Sequence, residues 1–127
     1  MTKFVKDFEF TLPCGATSLA TKQYFIVKQH TDGTVILAAA ATDKIIGVVR
    51  NKPAVGQGAL VQFLGTAKVI AGGAVSVGAW VTSDNAGKAV ATTTNRDVVI
   101  GKYIGTASAA SGDIIEVQLG IFTLSVA

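Results

Sequence analysis

The stretch DKIIGVVRNKPAVGQGALVQFLG, Asp43 to Gly65, decides the fold, because a variant of it returns as DVVIGKYIGTASAASGDIIEVQLG, Asp97 to Gly120. Each copy opens on Asp and reaches a Gly through mostly apolar positions, Gly47 in one and Gly101 in the other. Each then runs through a loop of small residues and closes on Gln followed shortly by Leu-Gly. The offset is about 54 or 55 residues, a spacing at which a repeated supersecondary unit is expected. Two copies are too few for a solenoid, so the pattern reads as a duplicated fold half.

A hairpin signal precedes each copy. In QYFIVKQHTDGTVILAAA the turn Thr31-Asp32-Gly33 separates two β-rich runs. Asp-Gly supplies the positive φ angles of a tight turn at low steric cost. Strands are expected near Tyr24–Gln29 and Thr34–Ala39. In AWVTSDNAGKAVATTT, Asp84-Asn85-Ala86-Gly87 separates Ala79–Thr82 from Lys88–Ala91. The lead-ins also match, Gly15-Ala16-Thr17-Ser18 against Gly73-Ala74-Val75-Ser76, so the halves span residues 15–65 and 73–120.

Thr66–Ile70 reads as a strand and Ala71-Gly72-Gly73 as a turn. Asp113–Leu119 reads as a strand buried on one face, with an irregularity at its start where Ile114 and Ile115 are both apolar. Pro53 with Gly56 and Gly58 excludes a regular central strand there. The alanines of VILAAAATDKIIG leave room for one helical turn, and no segment keeps helical periodicity over three turns. The expected fold is all-β: a small β-barrel or β-sandwich built from two similar duplicated halves, with an extended N-terminal segment. It occupies one domain over residues 1–127.

Half of the 127 residues are apolar and 15% are charged, which argues against disorder. The net charge of +3 comes from scattered Lys and Arg with no aromatic interleaving, so no nucleic-acid partner is expected. Cys14 is the only cysteine, which excludes an intrachain disulfide and fits a reducing compartment. Lys3, Lys6, Asp7 and Glu9 interrupt any signal-peptide core. No apolar run approaches the roughly 20 residues that span a bilayer, so no membrane partner is expected. So little charge suggests that a partner covers much of the surface.

The residues that could carry chemistry do not assemble. His30 lies beside the Asp-Gly turn and reads as an exposed turn residue, since a catalytic base needs an orienting partner in a cleft. Cys14 lacks an activating cluster and reads as a small apolar residue. Too few soft ligands are present for zinc, and the carboxylates are not spaced for calcium. Asp32, Asp43, Asp84, Asp97 and Asp113 sit beside turns or strand starts, where capping explains them. AGGAVSVG, Ala71 to Gly78, lacks the Gly-Lys-Ser/Thr of a phosphate loop. No catalytic residue, metal or cofactor is expected, and the chain does not read as an enzyme. Trp80 reads as core, with an interface anchor as the alternative.

Ile46-Gly47-Val48, the Asn51-Lys52-Pro53-Ala54 corner, Gly65-Thr66-Ala67-Lys68-Val69, Gly72-Gly73-Ala74 and Asp84-Asn85-Ala86-Gly87-Lys88-Ala89 occur in order along most of the chain after Gln23. In that order and spacing the chain resembles the capsid cement, or head decoration, proteins of tailed bacteriophages. The resemblance implies a non-enzymatic protein, made in the bacterial host cytoplasm and placed on the outer surface of the virion capsid. It implies a homotrimer bound to the major capsid protein, stabilising the shell by bridging capsomers. The alternative is a tail or fibre module contacting host carbohydrate, which would favour clustered exposed aromatics.

The N-terminal segment MTKFVKDFEFTLP falls outside both the resemblance and the two halves. Phe4, Phe8, Phe10 and Leu12 take even positions, as in a strand without an obvious hairpin partner. Residues 1–12 read either as an edge strand of the protein's own sheet or as an arm that pairs with a neighbouring subunit or the capsid. In the second case these four side chains are the candidate partner-binding residues.

Overall fold

A computed structural model describes residues 9–125, among which there are ten strands and no helix. The first five are β1 (Glu9–Pro13), β2 (Ile26–Gln29), β3 (Val35–Leu37), β4 (Ile45–Val49) and β5 (Gly58–Gln62). The next five are β6 (Gly65–Ile70), β7 (Trp80–Ser83), β8 (Ala89–Ala91), β9 (Val98–Tyr103) and β10 (Ile114–Thr123). They form two five-stranded sheets in the orders β1-β5-β4-β2-β3 and β6-β10-β9-β7-β8. Adding five to each label of the first order produces the second. All strand pairs are antiparallel, and the two sheets make a β-sandwich-like all-β fold.

The turns hold for the reasons their residues suggest. Gly33 and Gly87 take φ of 88° and 76°. In the first turn Asp32 Oδ1 accepts from the Thr34 amide at 3.0 Å and from its hydroxyl at 2.6 Å. In the second, Asp84 Oδ1 accepts from the Ala86 and Lys88 amides at 2.8 and 2.9 Å.

The matched glycines of the two long stretches have a common cause. A Cβ on Gly47 would run into the Gln62 carbonyl oxygen, and a Cβ on Gly101 into that of Gln118. Val61 and Val117 crowd the same two sites at 2.8 and 2.9 Å. The Ile-Gly step and the closing Gln thus recur together because they pack together. Each sheet also curls towards closure. Cys14, just past β1, makes a parallel bridge to Val35 on β3, and Ala71, just past β6, makes one to Ala89 on β8. Gly15 N–H then donates to the Val35 carbonyl at 2.9 Å and Gly72 N–H to the Ala89 carbonyl at 2.7 Å. The counterpart of Gly15 is therefore Gly72, one residue before the Gly73 that the lead-ins pair with it.

Two apolar clusters fill the molecule. One lies within the first sheet and includes Cys14, Leu19, Val27, Val35, Val49 and Val61. The other joins the sheets, setting Ile26, Ala38, Ile45 and Val48 of the first half against Val69, Val81, Ile100 and Val117 of the second. Each such Val, Leu or Ile side chain contributes about 1.5–3 kcal/mol on burial. Hydrogen bonds fix the relation between the sheets. Ile26 N–H donates to the Gly87 carbonyl at 2.7 Å, Ile70 N–H to the Tyr24 carbonyl at 3.0 Å, and Val98 N–H to the Ala41 carbonyl at 2.7 Å.

Of the two alternatives for the N-terminal segment, Glu9–Pro13 takes the edge strand of the protein's own sheet, paired with β5 in the position that β6 takes beside β10. Three expectations change. The irregularity of the last strand lies between Leu119 and Phe122, not at its start, because β10 continues past Leu119 and must shift register to keep pairing with β9. The alanines before Asp43 make no helix. Asp43 Oδ2 instead accepts from the Ala39 and Ala40 amides and closes a turn. Trp80 is not core but 39% exposed, since its neighbour Val81 takes the inward position on β7.

Gly47→Ala and Gly101→Ala are each expected to lower unfolding free energy by about 2–3 kcal/mol, the scale of a steric insertion that backbone must yield to. Gly47 adds the strain of a φ of 151°. Urea unfolding measures the effect, and two variants as stable as the parent protein would contradict the close-approach account.

Asp43 generates an acid dependence. Burial alone would push its carboxyl up, but the Ala39 amide at 2.7 Å, Lys28 Nζ at 3.0 Å and the Ala40 amide at 3.1 Å outweigh it and hold the carboxyl below the usual range. A value lower in the folded than in the unfolded chain contributes stability that is complete above the unfolded value. That contribution is lost as pH falls through the folded value, in the region below about pH 4. Asp43→Asn should be less stable than the parent at neutral pH and show a shallower loss below about pH 4. An unchanged slope would contradict the assignment.

Candidate interaction surface

Trp80 leads to a patch on the outward face of the second sheet. On β7 it stands opposite Lys102 of β9, and the Lys102 ammonium lies 5.7 Å from the indole ring centre. The extension of β10 beyond its register shift pairs Phe122 with Val99. That extension sets the Phe122 ring edge-to-face with Trp80, centroids 5.1 Å apart and planes at 84°. Such geometry is favourable for the ring quadrupoles. Phe122 is 38% exposed, so both aromatics remain open to solvent. Ile104, Ile114 and Ile121 are also exposed on or beside these strands. Large exposed aromatics with an adjacent cation are the composition of a contact surface.

The candidate residues of the N-terminal segment separate. Phe4 and Phe8 lie outside the described residues. Phe10 and Leu12 are half-buried on β1 and pack against the cluster of the first sheet. Phe10 also stacks on Phe63, ring centroids 5.6 Å apart, and Phe63 with Leu64 is exposed just after β5. Lys102, Phe63 and Phe122 escaped the sequence reading. Their exposure depends on the register of β9 and on where β5 and β10 leave regular pairing, which residue type does not report.

The polar groups singled out in the sequence sit in turns and loops. His30 is exposed in its turn, 3.4 Å from Asp32 Oδ1. The Thr34 hydroxyl, then the Thr34 amide, hold the Asp32 carboxyl below its usual range. These residues rim a cavity of about 350 Å³ floored by Leu19, Ile36 and Leu37. Thr92 donates to Asp97 Oδ2 at 2.5 Å, bracing the loop before β9. Among the described residues no group of three or more His, Cys, Asp or Glu is placed to hold a metal ion.

A family model described as phage cement protein matches residues 11–119, which takes in nearly all of both sheets. Among solved structures, the N base of head fiber gp8.5 in bacteriophage phi29 is similar, with a TM-score of 0.68 and 22% identity. The likeness covers 93% of this chain and 98% of that chain, and at this identity it shows a shared fold. No curated protein matches the chain.

Cys14 tests the inert reading of the one thiol. It is 2% exposed, and its Sγ donates to the Thr17 carbonyl at 3.4 Å. A thiol reagent should label it only in denaturant, because attack requires an accessible thiolate. Rapid labelling of the native protein would contradict the burial.

Proposed function

This chain belongs to the phage cement protein family, and from that premise we propose that it binds the outer surface of an assembled phage head and stabilises the shell by bridging capsomers. Its partner is the major capsid protein, it acts as a homotrimer, and it catalyses no reaction. The observation that carries the reading is the extent of the family match, residues 11–119, over two sheets whose carboxylates Asp32, Asp43 and Asp84 cap backbone amides in turns. A rigid all-β body with exposed apolar side chains suits a task in which added contact area is the whole effect. A standard specific interface buries about 1,600 Å² in total. Repeated over a shell, contacts of modest strength become collectively effective. Exposed Trp80 beside Phe122 also suits a second reading, a carbohydrate contact, since an aromatic pair could stack on a sugar ring.

The N-terminal residues before β1 extend the proposal. β1 is an edge strand of its sheet, and Phe4 and Phe8, in the eight residues that precede it in sequence, are proposed to contact a neighbouring subunit or the shell.

The test is binding to empty expanded heads, with a glycan array as the alternative target. Saturable occupancy and a raised temperature of head rupture are expected. Glycan binding without head binding would favour the second reading. Deleting residues 1–8 should leave the β-type circular dichroism spectrum intact and reduce occupancy. Full occupancy by the truncated chain would remove the role proposed for Phe4 and Phe8.

A further inference from the structure

The two sheets share a topology but not an environment. Ile26 pairs with Val48 beside the Val27–Gly47 pair, and Trp80 pairs with Lys102 beside the Val81–Gly101 pair. Trp80 and Lys102 are therefore the counterparts of Ile26 and Val48. Ile26 and Val48 are fully buried in the cluster shared by the two sheets, whereas Trp80 and Lys102 are exposed. The surface that the first half covers with the second half is, on the second half, open.

The element that covers it in the first half is also defined. The Gly87 carbonyl of the β7–β8 turn accepts the Ile26 N–H at 2.7 Å. A Cβ on Gly87 would meet the Ile26 carbonyl at 2.9 Å and Leu37 at 3.1 Å. The counterpart of that turn, around Gly33, does not reach back to Trp80, and a Cβ on Gly33 would meet only the Gln29 amide at 3.9 Å. The halves are thus joined head to tail and not about a local two-fold axis. An interface of that kind leaves one unfilled surface at each end, and it closes into a ring or continues as a filament when repeated.

We infer that the face formed by Trp80, Lys102 and Phe122 receives the His30–Thr34 turn of a second copy of this chain, head to tail. The surface and the turn are the two unsatisfied ends of an interface that the chain already makes once within itself. Trp80 is the anchor, a residue type that concentrates binding energy at interface centres. Lys102 meets a turn that carries the Asp32 carboxylate, so the charges are complementary. This inference rests on the homo-oligomer reading above and names the surface that would build the oligomer.

The test uses the full chain at high concentration and on occupied heads. His30→Cys and Lys102→Cys are prepared separately, with buried Cys14 retained, and mixed under mild oxidation. A disulfide-linked pair is expected in the mixture and in neither variant alone. Lys102→Cys cross-linking to itself would mean a two-fold contact and overturn the inference. Trp80→Ala should raise the self-dissociation constant roughly 30-fold or more, the scale of losing a central tryptophan. Lys102→Glu, an exposed change that spares the fold, should weaken association in the same direction. An oligomer of unchanged mass in both variants, with no cross-link in the mixture, would overturn this surface and leave the homo-oligomer reading standing. Loss of head occupancy by Trp80→Ala at unchanged oligomer mass would assign the face to the shell and likewise overturn it. A monomer in every condition, without cross-links on heads, would defeat both readings.

Discussion

The carbonyl oxygens of Gln62 and Gln118 stand where a side chain on Gly47 or Gly101 would have to be. That close approach occurs between adjacent central strands, β4 with β5 and β9 with β10. It lets the strands cross tightly enough for each sheet to curl, so that the chain just past its first strand in sheet order bridges to the last one. A methyl group at either glycine would push the two backbones apart and uncurl the sheet. The inward valines around it, Val61 and Val117, would lose their contacts at the same time. The turns can be varied more freely, because an Asp side chain or a neighbouring amide can satisfy them in several ways.

Curling of this kind makes each half a body with an inner and an outer side. In the first half both sides are buried: the inner by Leu19 and its neighbours, the outer by the second sheet. In the second half the inner side is buried and the outer side carries Trp80, Lys102 and Phe122. The asymmetry follows from the head-to-tail join. Two equivalent halves that meet through different surfaces cannot both be covered. The residues have diverged accordingly, aliphatic where the surface is always dry and aromatic or cationic where water reaches it. Tyr24 and Gly78 diverge at another equivalent position. Both take left-handed φ, 70° and 82°, and both donate to the matching carbonyl, of Val49 or Tyr103. The glycine does so without strain, while a tyrosine there costs about 1–2 kcal/mol. The Tyr24 carbonyl also accepts the Ile70 amide, one of the bonds that join the halves.

Most strands, the two hairpin turns and the internal repeat were legible in the residues, because each rests on local residue patterns. Asp-Gly and Asn-Ala-Gly force turns, alternation of Val and Ile marks a half-buried strand, and the matched Gly and Gln of the long stretches are a steric pair. The sequence could not show that Glu9–Pro13 completes the first sheet. Its partner, β5, lies more than forty residues away, and nothing in EFTLP names it. Nor could it place Trp80. A tryptophan in a strand is equally consistent with either face until the register opposite Lys102 and the inward position of Val81 are known. By itself the sequence determined where most of the strands lie and that they are arranged twice. The tertiary structure decided which of two equivalent faces is buried, because burial belongs to a pair of surfaces, and only the packed chain shows which surface has found its partner.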